Sequence, residues 1–189
     1  GEYAFLDSNI ECVYINNLAA YLQIDCANIQ ASPTYYAKSV YLNGKPLTSL
    51  VIPAGVTEIK PYVFASGTYL SNPDQCIGEI VFSNSVVKIG KEAFCGLDYL
   101  SKLNLANVQE IGEGAFRECK NLAEIIIPDS VTVIGDEAFA NISQIDSVTL
   151  GNGLVKIGVD AFKNSISTNS SNSYSGISRL NLPSIELLG

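Results

Sequence analysis

Histidine is absent from this 189-residue sequence, and that absence narrows the chemistry open to the chain. Without an imidazole, the usual Ser-His and Cys-His arrangements for nucleophilic catalysis cannot form. The five cysteines include no Cys-x-x-Cys pair, so a structural zinc site also lacks its usual ligands. The sequence therefore predicts a non-enzymatic protein with no catalytic residues, no metal and no cofactor.

Positive charge and long apolar runs are also scarce. Eleven Lys and Arg residues face nineteen Asp and Glu residues, which gives a net charge of −8, and no basic run occurs. This balance argues against binding to DNA, RNA or an anionic membrane. No stretch approaches 18 uninterrupted apolar residues, so no membrane span is predicted. With 47% hydrophobic residues, the chain is nevertheless rich enough to form a large core.

What the chain does contain is a repeated unit, of which residues 122–139, LAEIIIPDSVTVIGDEAF, are the clearest copy. Phenylalanines spaced 30, 22, 23 and 23 residues apart mark the period: Phe64, Phe94, Phe116, Phe139 and Phe162. A period near 23 residues is typical of leucine-rich repeats. One copy has too few apolar residues to bury them alone, so the copies are expected to stack into one elongated body.

Each copy is predicted to contain a short strand and a helical turn. Alternation sends two strand side chains inward per coil, as Leu50 and Ile52, Ile80 and Phe82, Leu103 and Leu105, Ile125 and Ile127, Val148 and Leu150, Leu180 and Leu182. An isoleucine follows in each coil, and then usually a glycine, at Gly90, Gly112, Gly135 and Gly158. Such a glycine would allow a positive φ or a close backbone approach.

Acidic residues and cysteines have structural interpretations in this scheme. Glu92, Glu137 and Asp160 each lie two residues before a phenylalanine, where negative charge would complement the dipole of a helical turn. Cys95 and Cys119 are expected to be buried free thiols. A bridge between Cys12 and Cys26 stays open as an alternative, without support from their spacing.

The first 46 residues depart from the period and are interpreted as a partial first coil, enlarged by a helix and a hairpin. Asn16 or Asn17 is expected to cap a helix over residues 18–22, and Asn43-Gly44 predicts a hairpin turn. Residues 47–189 follow as repeats of about 23 residues, with insertions at 65–76 and 163–176; the second insertion is expected to be flexible. Both ends cut a repeat at the same phase without polar caps, so the chain is predicted to be a slice of a longer array.

The repeat motifs carry a family resemblance. IPDSVTVIGDEAF, VFSNSVVKIGKEAF and LGNGLVKIGVDAF resemble the BspA-like leucine-rich repeats of bacterial surface proteins, and SPTYYAKSVYLNGKPLTSLVIP resembles the enlarged coil found among such arrays in gut anaerobes. The asparagine of LxxLxLxxN is missing, so no asparagine ladder is expected. The resemblance implies secretion or surface display, adhesion and binding of host protein.

Periodicity and resemblance together predict a single α/β repeat solenoid over residues 1–189. It is a right-handed leucine-rich-repeat superhelix with a parallel sheet on its concave face and short strands and helical turns on its convex face. The outward residues of the sheet are the candidate protein-binding site. They are Tyr14, Val51, Val81, Asn104, Ile126 and Thr149 in one column, with Lys102 and Glu124 in the next.

This mixed surface suits a protein ligand, such as a host surface or matrix protein. Two alternatives remain open. The repeats could serve as a rigid spacer that displays another domain, or as a carbohydrate-binding surface module. A carbohydrate binder would need exposed aromatic rings, and only Tyr14 lies on the predicted columns. No oligomeric state follows from the sequence.

Overall fold

The computed structural model of the protein describes residues 2–67, 73–165 and 179–181. This part of the chain contains short strands, one α-helix and two 3-10 turns, at Ile29–Ala31 and Pro73–Gln75. The helix is α1 (Leu18–Tyr21). The strands are β1 (Cys12–Ile15), β2 (Ser39–Leu42), β3 (Lys45–Pro46), β4 (Ser49–Val51), β5 (Glu58–Ile59), β6 (Glu79–Val81), β7 (Lys88–Ile89), β8 (Lys102–Asn104), β9 (Glu110–Ile111), β10 (Glu124–Ile126), β11 (Val133–Ile134), β12 (Ser147–Thr149), β13 (Lys156–Ile157) and β14 (Arg179–Asn181).

Successive coils pair in parallel at equivalent positions, which confirms the predicted repeat solenoid. The first strands of the coils form two three-stranded sheets, β4-β6-β8 and β10-β12-β14. The second strands form one five-stranded sheet in the order β5-β7-β9-β11-β13. Leu50 lies opposite Ile80, and Ile80 lies opposite Leu103, so each inward residue stacks on its equivalent in the next coil.

A column of phenylalanine rings runs through the core. Phe94, Phe116 and Phe139 are completely buried, with ring centroids 5.5 and 5.3 Å apart and planes tilted by 12° and 10°. Phe64 and Phe162 continue the stack at its two ends. Such ring pairs add roughly 0.5–1.5 kcal/mol beyond the area they bury. The rings therefore bind adjacent coils together, as the period predicts.

The turns that carry these rings were predicted to be helical but are short hydrogen-bonded turns instead. Glu137 has φ 53° and Asn141 has φ 60°, values in the left-handed region that an α-helix does not use. The backbone N–H of Phe139, between them, donates to the carbonyl of Ala161 in the next coil at 2.7 Å. Alternate N–H groups of the turn therefore donate to the neighbouring coil, while those of Ala138 and Ala140 donate within the turn.

The repeated glycine has a steric reason, shown at Gly135. A Cβ built on Gly135 would lie 2.6 Å from the backbone nitrogen of Glu113 and 2.7 Å from the carbonyl carbon of Gly112. Gly135 does not have a positive φ; the nearest left-handed residue is Glu137, two positions later. Of the two reasons predicted for glycine, the close backbone approach is therefore the one that applies here.

Hydroxyl groups provide the inter-coil contacts that an asparagine ladder would otherwise supply. The Ser85 hydroxyl donates to the Val56 carbonyl at 2.9 Å, and the Ser130 hydroxyl donates to the Val108 carbonyl at 2.8 Å. The Thr132 hydroxyl likewise donates to the Gln109 carbonyl at 3.2 Å. Each of these bonds gives a hydrogen-bond donor to a carbonyl group at a coil corner, where the chain turns between its two strands.

The enlarged N-terminal coil contains the predicted helix and hairpin. The Asn17 side chain caps α1 by accepting a hydrogen bond from the Ala20 N–H at 3.1 Å. Strands β2 and β3 form the hairpin, with Asn43 and Gly44 at φ 51° and 78°. Tyr21, at the end of α1, places its ring 5.1 Å from that of Phe64 and so extends the aromatic column. The sequence pattern did not indicate this last contact.

One coil is shorter than its neighbours, and the first sheet is interrupted there. Ile111 lies six positions after Leu105, whereas Ile134 lies seven positions after Ile127. Ala106 takes φ 44° to close this shorter corner. Within the described residues, no strand pairing joins β8 to β10, although pairing of the second sheet continues through this coil. The deletion therefore divides the first sheet while leaving the second intact.

The predictions for the isoleucine column, the inward strand residues and the two insertions have mixed outcomes. Ile59, Ile89, Ile111 and Ile134 are buried as predicted, but Ile157 is 47% exposed and Leu180 is 55% exposed. The predicted inward residue Leu182 lies outside the described residues, as do residues 68–72 of the first insertion and residues 166–176 of the second insertion, which was predicted to be flexible.

We expect Phe116→Ala to lower the free energy of unfolding by about 3–5 kcal/mol, because it removes a ring stacked on both sides and leaves a cavity between coils. Urea denaturation followed by circular dichroism measures the change. Gln109→Ala, at an exposed position of the adjacent segment, is the matched control. A loss below about 1 kcal/mol for Phe116→Ala would contradict the role of the column.

We expect Gly135→Ala to cost about 1–3 kcal/mol, because the added methyl group meets backbone atoms that cannot move independently. Gly78→Ala is the control, since a Cβ there has no neighbour closer than 3.8 Å. The same denaturation assay compares the two variants, and equal stabilities would show that close approach does not select glycine at Gly135.

Candidate functional site

The candidate face is formed by the outward residues of the first strands. Val51 lies opposite Val81, and Val81 lies opposite Asn104, in one half of the face. Ile126 lies opposite Thr149 in the other half. Val51 and Ile126 are 58% and 55% exposed, a high value for aliphatic side chains. The structure thus places these five predicted residues on the outer surface, in two groups of aligned neighbours.

Charged side chains flank this row of outward residues. Lys102 and Glu124 are exposed at the start of β8 and β10, and among the described residues neither forms an ion pair. On β6, which pairs with β8, Glu79 accepts a hydrogen bond from the Ser49 hydroxyl at 3.1 Å. Two opposite charges therefore lie unpaired beside Asn104 and Ile126, at the middle of the face.

The interruption between β8 and β10 passes through the middle of this face. The Asn104 side chain turns back and accepts a hydrogen bond from the Ala106 N–H at 3.0 Å. Its amide oxygen is therefore engaged within its own coil. The predicted centre of the site, from Val81 through Asn104 to Ile126, spans two sheets rather than one continuous surface.

Tyr14 does not lie where the predicted column placed it. The column aligned Tyr14 with Val51, but β1 pairs with β2, so Tyr14 lies opposite Tyr41. Strands β1, β2 and β3 form a sheet of their own, which is not paired with β4 in the described part of the chain. The sequence motif at residues 10–15 has the form of a repeat strand, and the hairpin strand supplies its partner. Tyr14 is therefore separate from the candidate face.

Tyr41 was missed by the sequence analysis. Its ring stacks on that of Tyr14, with centroids 5.0 Å apart and planes tilted by 23°. A signal was present: VYI and VYL each place a tyrosine between two inward aliphatic residues, so both rings should face outward. Their pairing could not be read from the repeat period, because residues 16–38 interrupt it.

The acidic residues before the phenylalanines have no helix dipole to complement, because their turns are not helical. Arg117 instead bridges two of them, with Nη2 lying 3.2 Å from Glu92 Oε2 and Nη1 lying 3.1 Å from Glu137 Oε2. Asp160 pairs with Lys163 at 2.7 Å. These carboxylates thus connect three successive coils or brace a turn, and they do not form an acid and base pair around a cleft.

The cysteines include two buried free thiols, as predicted. Cys95 and Cys119 are almost fully inaccessible, and Cys119 Sγ donates to the Phe94 carbonyl at 3.3 Å. Burial raises the pKa of Cys95 to about 11 and raises the pKa of Cys119 well above its ordinary value. Cys12 and Cys26 are also free, so the alternative of a bridge between them is not realised.

No metal centre is formed by the residues the structure describes. They contain no group of three or more His, Cys, Asp or Glu side chains able to hold a metal ion. Within the described ranges, no helix is long and apolar enough to cross a bilayer, and α1 has only four residues. The outward row and its flanking charges are therefore the main candidate for a functional surface.

The repeats define the family of the chain. Six copies of the BspA type leucine rich repeat region match residues 1–74 and 73–184. The chain therefore belongs to the BspA type leucine rich repeat family, as the sequence motifs predicted.

A solved structure supports the fold independently. The chain is similar to a leucine rich cell surface protein from Faecalibacterium prausnitzii A2-165, with a TM-score of 0.63 and 21% sequence identity. The similarity covers 80% of this chain and 43% of that protein, so the chain spans less than half of the relative's length. No curated protein sequence matches the chain.

We expect Cys95 and Cys119 to resist a thiol-specific disulfide reagent in the folded protein. The pKa of about 11 for Cys95 leaves roughly one molecule in a thousand with this thiol ionised at pH 8. Burial also blocks access of the reagent to both thiols. The half-buried Cys12 should react first. Mass spectrometry of the labelled protein, with and without urea, identifies the modified positions. Rapid labelling of Cys119 without urea would contradict its place in the core.

Proposed function

We propose that the chain is a non-enzymatic protein-binding module of a larger protein displayed at a bacterial cell surface. Membership of a repeat family and similarity to a cell surface protein support this setting. The exposed aliphatic side chains at Val51 and Ile126 are the observation that carries the proposal. Exposed apolar groups rimmed by polar residues are characteristic of protein contact sites.

The charges of the face favour a protein partner of mixed character. Lys102 and Glu124 have opposite charges and form no ion pair with the residues that the structure describes, so a ligand with complementary charges of both signs can pair with them. A uniformly charged polymer such as a nucleic acid would meet repulsion at one of the two. Val81, Asn104, Ile126 and Thr149 then form the centre of the contact, and the two charged residues form its edge.

The size of the face limits the geometry of binding. Strand spacing of about 4.8 Å gives five strands a width of roughly 19 Å, and three residues give a length of about 10 Å. The projected area, about 190 Å², is well short of the roughly 800 Å² per partner that a stable interface needs. A partner must therefore also contact the corners beside the strands.

We expect Ile126→Glu to weaken binding to a matrix protein by at least about tenfold, because a carboxylate would be desolvated at the centre of the contact. Biosensor measurements with immobilised collagen, laminin and elastin supply the panel. Val155→Glu is the matched control, since Val155 is 83% exposed and lies outside the candidate face. Circular dichroism and the melting temperature should be unchanged in both variants.

The alternative of a rigid spacer predicts a different result. A spacer would bind no member of the panel, and charge at Ile126 would then have no effect on adhesion of cells that display the chain. Equal loss of binding in Ile126→Glu and Val155→Glu would also contradict a site on this face.

A further inference from the structure

The candidate face presents apolar and charged groups that its own chain leaves unmatched. Val51 and Ile126 are 58% and 55% exposed. Lys102 lies opposite Glu79, yet it forms no ion pair in the part of the chain that the structure describes. Glu79 instead accepts a hydrogen bond from the Ser49 hydroxyl at 3.1 Å. A partner can therefore match aliphatic side chains and charges of both signs on one small surface.

The order of these side chains is fixed by the stacking of the coils. Strands β4, β6 and β8 pair in register, and β10 lies beyond the interruption. Stacking continues across this interruption, since the rings of Phe116 and Phe139 are 5.3 Å apart and β9 pairs with β11. The outward residues therefore form two rows of four successive positions. The first row is Ser49, Glu79, Lys102 and Glu124, and the second row is Val51, Val81, Asn104 and Ile126.

A second copy of the chain matches both rows when its coils run in the opposite order. A two-fold axis parallel to the strands, midway between β6 and β8, reverses the coil order and keeps each row facing itself. Glu79 then faces Lys102 of the second copy, and Val51 faces Ile126 of the second copy. Symmetry produces each of these contacts twice. The strands of the two copies run in the same direction, as in aligned packing of two sheets.

The remaining positions are compatible with the same arrangement. Glu124 faces Ser49 of the second copy, whose hydroxyl can donate to the carboxylate. Val81 faces Asn104 of the second copy. The Asn104 amide oxygen already accepts a hydrogen bond from the Ala106 N–H at 3.0 Å, so the contact with Val81 does not leave it unsatisfied. No position in either row meets a like charge directly.

Other two-fold arrangements of the same face are less favourable. An axis on β6 places two copies of Glu79 against each other, and an axis on β8 does the same with Lys102. An axis perpendicular to the strands places the first row on the second, so Glu124 would lose water against Ile126. An axis in the interruption pairs Lys102 with Glu124 but places Ile126 against Asn104. Of these arrangements, the axis between β6 and β8 alone matches charge with charge and aliphatic with aliphatic.

We propose that the candidate face binds a second copy of this chain, with the two-fold axis between β6 and β8. This inference rests on the proposed function, because it uses the same protein-binding face and names a partner for it. The face is much smaller than the roughly 800 Å² per partner of a stable interface, so the pair is weak and reversible in solution. Many copies displayed together would add such weak contacts into a stronger attachment.

Sedimentation velocity of the whole chain tests the arrangement, with salt at about 0.15 M to screen the net charge. The unmodified chain should pair increasingly between about 10 μM and about 500 μM. Lys102→Glu and Glu79→Lys should each weaken pairing by at least about tenfold, because each variant places like charges together twice.

An equimolar mixture of Lys102→Glu and Glu79→Lys should recover pairing. The introduced carboxylate of one variant then faces the introduced ammonium group of the other, while the original Glu79 and Lys102 face each other. A defect in folding would not be repaired by mixing, so recovery reports the contact itself. Failure of the mixture to pair would overturn the arrangement.

The aliphatic contact has its own test. Val51→Glu and Ile126→Glu should each weaken pairing by at least about tenfold, because a carboxylate would be desolvated against an aliphatic side chain. Val155→Glu is the matched control, since Val155 is 83% exposed and lies outside the face. Equal loss of pairing in Val155→Glu would show that the copies associate through another surface and would overturn the proposal. Circular dichroism checks that each variant is folded.

Failure of pairing can be separated from failure of the proposed function. A chain that stays monomeric at every concentration would overturn the pairing. If that monomer still binds a matrix protein, and Ile126→Glu weakens the binding, the proposed function stands without a second copy as partner. Pairing that depends on Ile126, with no binding to the matrix panel, would support the second copy as the partner of the face.

Discussion

Adjacent coils must present equivalent backbone groups to one another, and most other features of the structure follow from this constraint. A parallel, in-register contact brings each N–H group to a carbonyl of the next coil only when the coils have matching shapes. The phenylalanine rings then stack on their equivalents at a nearly constant spacing. Glycine recurs where two backbones come too close for a Cβ. Residues are thus selected by their place in the coil more than by their neighbours in sequence.

The same constraint explains why so much of the fold could be predicted. A core position recurs once per coil, so Phe116 and Ile134 were identifiable from spacing alone, without knowledge of their contacts. The hairpin at Asn43-Gly44 was equally clear, because its turn needs two residues that tolerate positive φ. Local rules and periodicity were sufficient wherever the structure is determined by a single coil or by an unbroken repeat.

Other features depend on interactions that no period encodes. The turns around Phe139 contain helix-compatible residues, but alternate N–H groups donate to the next coil, and the residues at Glu137 and Asn141 are left-handed. Tyr14 was placed in a column with Val51, although a later hairpin strand pairs with it first. The predicted outward residues do lie on the surface, whereas their division into two sheets follows from a single missing residue near Ala106. Their role in binding remains a prediction.

Scaffold and recognition are separated in this architecture. Inward residues and corner glycines are restricted by stacking, while exposed outward residues such as Ile126 contribute little to it. The bridge from Arg117 to Glu92 and Glu137 lies on the turns, outside the candidate face. Repeats of one shape can therefore present different surfaces without a change of core, and the enlarged first coil adds a further surface through its own small sheet.

The interrupted pairing between β8 and β10 also has a mechanical consequence. A protein anchored at a surface and attached to a partner is pulled along its length, and the solenoid resists through the hydrogen bonds between coils. In the described chain, no strand pairing joins β8 to β10, while the second sheet pairs continuously from β5 to β13. Under tension, load would therefore be carried unevenly, and we expect the array to bend there with the second sheet as the hinge. The widening side is the one that carries Lys102 and Glu124, so tension would spread the two halves of the candidate face before any coil unfolds.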